Sequence, residues 1–117
     1  MPSLSEKDRA NLYAILDSVN KILTFTKGKK NAIEFYEDEM AYDTTLMNFI
    51  IIGETVAKIS SALKSRYDEI LWKEIKNFRN VITHDYIGVN AESTWQIIQK
   101  HLRPLRKDIS ALLKSYK

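Results

Sequence analysis

Cysteine is absent from the 117 residues, which excludes disulfides and thiolate metal sites. Glycine and proline number only 3 and 2, too few for a chain of many short strands and tight turns. No apolar run approaches bilayer-spanning length: Phe49-Ile50-Ile51-Ile52 falls far short of the ~20 residues that a spanning helix needs. The N-terminus lacks a basic region followed by an apolar stretch, so no signal peptide is expected. A cytoplasmic protein without membrane contact is the simplest expectation. There is no glycine-rich phosphate loop, no nucleophile elbow and no cluster with metal-ligand spacing, so no metal and no cofactor are expected.

What is present is helical periodicity. Hydrophobic residues at 44% and charged residues at 28% describe an ordered chain with one core, expected as a single domain over residues 1–117. Ser5, followed by Glu6 and Asp8, suits the start of a first helix. Its stripe runs Leu12, Ile15, Leu16, Val19, Ile22 and Leu23, and Gly28 suits its end. Residues 31–42 form an acidic piece, with Glu34, Glu37, Asp38 and Glu39, read as a short helix or ordered connector. Asp43 is expected to cap a second long helix reaching about Tyr67. With Leu46, Phe49, Ile50 and Val56 on one face and Ile51, Ile52 and Ile59 elsewhere, that helix belongs at the centre of the core or at a subunit interface.

Trp72 opens a third helix with a stripe at Leu71, Ile75, Phe78 and Ile82, which Gly88 ends. Asn90 can cap the last helix. Its stripe at Ala91, Trp95, Ile98, Leu102, Leu105, Ile109, Leu112 and Tyr116 stays in phase across Pro104, so a kink is expected there, at ~3 kcal/mol if the proline is interior. The fold class is therefore all-α: an antiparallel bundle of four to five helices. The net charge of +3 permits contact with nucleic acid without requiring it.

Of the two histidines, His101 lies among Lys100, Arg103, Arg106 and Lys107 and is expected on the solvated surface. His84 ends the third helix, with Arg79 five residues before it and Tyr86 two after. These types suit metal-free RNA cleavage. A base near neutrality takes the proton of the ribose 2′-hydroxyl, and a permanent cation stabilises the phosphoryl oxygens. An arginine close to His84 would also lower the histidine pKa and keep it neutral. On an ideal helix, however, residues five apart are separated by about 140°, so Arg79 and His84 do not share a face, whereas Asn80 and His84 do. By spacing alone the pair is a weak signal, and a helix-end histidine with a nearby solvated arginine is the favoured reading.

The segment Arg79-Asn80-Val81-Ile82-Thr83-His84-Asp85-Tyr86 resembles the signature of the HEPN superfamily, specifically of HepT-type toxins: Arg, four residues, His, any residue, Tyr, with Asn after the Arg. Ile52-Gly53-Glu54 resembles the Ile-Gly-Glu of the family's central helix, and Trp72 and Trp95 fall where members carry tryptophan. The resemblance spans nearly the whole chain. It implies a HEPN-like helical bundle that forms a homodimer, with the motif helices of two subunits against one cleft, which would also bring the residues of the 140° pair together across a two-fold axis.

It further implies a metal-independent ribonuclease acting on RNA, tRNA or mRNA, as the toxin of a type VII-like toxin–antitoxin system. Arg79 and His84 would be catalytic and Asn80 supporting. Tyr86 would be the AMPylation target of a cognate minimal nucleotidyltransferase antitoxin, MntA. Gly53 suits close approach of a helix or partner subunit, and Glu54, set in the most apolar helix, suits a structural salt bridge. An alternative from another class is a non-catalytic HEPN partner or substrate-binding subunit of a nucleotidyltransferase, and a third is a helical structural domain with a coincidental motif.

Overall fold

A computed structural model describes residues 3–80 and 91–116. The described residues are helical, with no strand among them, and the molecule measures 49 × 26 × 21 Å. Helix α1 spans Glu6–Thr26, and Ser5 caps it by accepting from the Asp8 amide at 3.0 Å. Leu12, Ile15, Val19 and Ile22 are wholly buried along one side, as their spacing requires. Gly28, at φ 85°, turns the chain out of the helix in a conformation that a side chain would oppose.

Helix α2 is one short piece, Ala32–Glu37, capped by Asn31. Helix α3 spans Glu39–Lys58, and this departs from expectation at both ends. Its cap is Asp38 rather than Asp43, with the carboxylate accepting from the Ala41 amide at 3.1 Å and pairing with Lys29 at 2.8 Å. It also stops at Lys58 instead of running to Tyr67. Ile59 turns extended, and Ser60 starts a separate helix α4, Ser61–Arg66, by accepting from the Leu63 amide. The reason for the break lies far away in the chain: the buried Asp8 carboxylate accepts from both the amide and the hydroxyl of Ser60, at 2.9 and 2.6 Å. That bond sets the start of α1 beside the end of α3, so the two long helices run antiparallel.

Helix α5 spans Trp72–Lys76, and after Asn77 the chain is helical again over residues 78–80. Ile75 and Phe78 are buried, but Leu71 is 55% exposed, a correction to the expected stripe. Leu71 precedes the first helical residue, with φ −81° and ψ 64°, so helical periodicity does not govern its direction. Ile82, Gly88 and Asn90 lie outside the described residues.

The last stretch comprises α6, Ala91–Ile97, a π-helical turn over Ile98–Leu102, and α7, Arg103–Lys114. Trp95, Ile98, Leu102, Leu105, Ile109 and Leu112 are all buried. The irregularity expected near Pro104 takes the form of the π turn just before it, and Pro104 falls in the first turn of α7. The backbone stays helical through Leu102 and Arg103, so the proline lies inside a continuous helical stretch and the irregularity sits in the turn before it. The core is closed by rings: Phe35 packs on Tyr42 and Trp95, and Phe49 meets Phe78 edge-on at 5.4 Å. Among the described residues no helix is long and apolar enough to cross a membrane.

Candidate active site

Arg79 follows directly from how its neighbour is packed. Phe78 is buried between Phe49 of α3 and the ring of His101, whose centroid lies 5.9 Å away. His101 is therefore half-buried on an aromatic partner, not the solvated surface residue its basic neighbours suggest. The π turn that carries it departs from the α-helical period and so changes the direction in which its side chain leaves the helix. With Phe78 directed inward, Arg79 and Asn80 are exposed at the edge of α3.

Gly53 sets how near they come. A Cβ at that position would stand 2.9 Å from the Arg79 Cβ and 3.1 Å from the Lys76 carbonyl oxygen. No side chain fits between the helices there, so the backbone carrying Arg79 lies directly on α3. One residue on, Glu54 pairs with Arg79, Oε1 to Nη2, at 3.8 Å. Both side chains are about half exposed, so the carboxylate does not sit in the apolar surroundings expected from the sequence of α3. An exposed pair at that distance contributes little to stability.

Beside this pair lies an open groove of about 360 Å³. Glu54 and Lys58 of α3 form one wall, and Lys76, Asn77, Arg79 and Asn80 form the other. Among the described residues three cations against one carboxylate line it, which suits an anion, and the two side-chain amides add neutral donors. Asn80 is tied to the turn before it, its backbone N–H donating to the Asn77 backbone carbonyl at 2.9 Å. Among the described residues no group of three or more His, Asp or Glu is placed to hold a metal ion.

The structure thus brings Arg79, Asn80, Gly53 and Glu54 to one place. His84 and Tyr86 lie outside the described residues. Reading the sequence missed Lys58 and Lys76. The signal available was faint: each closes a helix, where a lysine is ordinarily explained by the negative end of the helix dipole.

A family model described as "Ribonuclease HepT-like" matches residues 15–112. The chain is 29% identical over 107 residues to the Methanocaldococcus jannaschii protein named "Putative RNase MJ1380", covering 91% of this chain and 97% of that one. It is also 29% identical over 112 residues to "Putative RNase MJ0127" of the same organism, covering 95% and 92%. Over 81 residues it is 26% identical to the Thermococcus cleftensis protein named "Probable ribonuclease HepT", covering 69% and 74%. No solved structure gives a significant match.

Proposed function

This chain belongs to the ribonuclease HepT-like family, and from that premise we propose that it is a metal-independent endoribonuclease acting as the toxin of a type VII-like toxin–antitoxin pair. The observation that carries the reading is the placement of Arg79. It stands at the rim of a cation-lined groove, its backbone seated on Gly53 and its guanidinium turned to Glu54. An RNA phosphate entering the groove meets a fork of donors that never loses its charge.

In this mechanism His84 takes the proton of a ribose 2′-hydroxyl. The freed oxygen attacks phosphorus and the bond from phosphorus to the 5′-oxygen breaks, leaving a 2′,3′-cyclic phosphate. The proton passes through a histidine to the departing 5′-oxygen, so no water is consumed in the step. Arg79 stabilises the charge that builds on the phosphoryl oxygens, and Asn80 supports it.

A homodimer belongs to the same proposal. Met40, Met47 and Ile51 form an exposed apolar stripe on α3, the first two 68% and 65% exposed, and Glu54 lies next along it. A second copy on this stripe would lie beside the Arg79 groove and supply a second set of catalytic residues. Tyr86 is the proposed site at which a nucleotidyltransferase antitoxin of the MntA type adds AMP. An anionic nucleotide two residues from His84 would repel an RNA strand.

The test is incubation of the purified protein with total RNA in excess EDTA. Cleavage is expected, with the rate falling ~10²–10³-fold in Arg79→Ala and in His84→Ala. Intact RNA with the wild type would leave the non-catalytic partner reading in its place. Mass spectrometry after co-expression with a cognate nucleotidyltransferase should find the added AMP on Tyr86, and a modification elsewhere overturns that assignment.

A further inference from the structure

The groove holds more positive charge than one phosphate requires. Arg79 with Glu54 accounts for the point where the strand would be cut, yet Lys58 and Lys76 face the same space from α3 and α5. Lys58 lies one helical turn beyond Glu54, a rise of about 6 Å along α3, comparable with one nucleotide step of an extended strand. Lysine suits such a position, because a compact charge on a flexible stem accepts a phosphate without fixed geometry. Lys76 also has a cationic neighbour outside the groove: Lys64 of α4 has its pKa lowered, first by burial and then by the charge of Lys76.

Resting on the ribonuclease reading, we propose that Lys58 and Lys76 form a second phosphate subsite for single-stranded RNA, holding the phosphodiester next to the one that Arg79 engages. The subsite positions the strand and takes no part in bond breaking. It makes several linked phosphates, rather than a mononucleotide, the preferred ligand. The ordinary explanation for both lysines, a cation closing a helix, concerns stability alone and carries no consequence for RNA.

The experiment measures binding of a 2′-O-methyl RNA hexanucleotide, which cannot be cut by 2′-hydroxyl attack, by fluorescence anisotropy over a series of salt concentrations. Each phosphate contact to a single strand contributes roughly 0.7 to the slope of log K against log salt. The Lys58→Gln/Lys76→Gln variant should lose about 1.4 from that slope and bind about tenfold more weakly at moderate salt. The Lys58→Arg/Lys76→Arg variant should restore both. Lys107→Gln/Lys114→Gln, removing the same charge from exposed positions on α7, should leave the slope unchanged.

An unaltered slope in the first variant, or an equal fall in the α7 variant, overturns the proposal. Because the probe is never cleaved, this outcome is independent of the EDTA assay. Absence of RNA cleavage there would remove the ribonuclease reading while binding still decides the subsite.

Discussion

Two carboxylates near the C-terminal half of α3 show how differently one chemical group can be used. Asp8 is buried, and both its oxygens are taken up by Ser60, at 2.9 and 2.6 Å, where α3 gives way to α4. Glu54 is half exposed and reaches Arg79 at 3.8 Å. A buried acceptor with short hydrogen bonds fixes a corner of the fold, because leaving it or its donors unpaired is costly. An exposed, loose pair contributes little to stability, and so can yield to a competing phosphate. The difference in burial and distance separates the part of the molecule that holds shape from the part free to act.

Removing Asp8 breaks the comparison on its structural side and carries the largest expected effect on stability. Asp8→Ala should lose about 3 kcal/mol in urea unfolding, while RNA cleavage per folded molecule is retained. A loss under about 1 kcal/mol would show that the corner is held by packing instead. Gly53→Val joins the two sides. Its Cβ would meet the Arg79 Cβ at 2.9 Å, so the helix carrying Arg79 must shift. A loss of about 2 kcal/mol is expected from overpacking, with RNA cleavage falling ~10²-fold as Arg79 leaves its position. Unchanged cleavage would mean that the approach at Gly53 does not set the site.

Glu54→Gln sharpens the comparison from the other side. Stability should change by no more than about 0.5 kcal/mol, and affinity for the 2′-O-methyl RNA should rise, since a negative charge is removed from the lining of the groove. Weaker RNA binding would mean that the carboxylate holds Arg79 in its active orientation rather than competing with RNA.

The smallest effect concerns a third carboxylate, Asp38 at the start of α3. Its hydrogen bond to Lys29, and then that to the Ala41 amide, hold its pKa below the ordinary value. A depressed carboxylate stabilises the fold above its unfolded pKa and loses that contribution as pH falls through the lower folded value. The drop in urea midpoint between pH 6 and pH 3 should therefore be smaller in Asp38→Asn than in the wild type, and an equal drop would remove Asp38 from the acid response.

Much of this could be read along the chain. The stripes of α1 and of the last stretch from Trp95 to Leu112 are local patterns: each residue buries itself because of those three and four positions away, so the sequence carries them intact. The corner at Ser60 could not be read this way, because its cause is Asp8, 52 positions earlier. The burial of His101 was equally hidden, since it depends on Phe78 lying opposite and on a π turn that leaves the α-helical period.

The same division runs through the candidate site. The helical class, the principal core stripes and the residue types of the Arg79 motif are written in the chain, because periodicity and side-chain chemistry are properties of neighbours. That Gly53 seats Arg79 on α3, that Glu54 is half exposed, and that Lys58 and Lys76 share a groove with the arginine follow from the packing of the helices. Those are relations between separate helices, set by how closely two backbones approach, and no single stretch of chain encodes that distance.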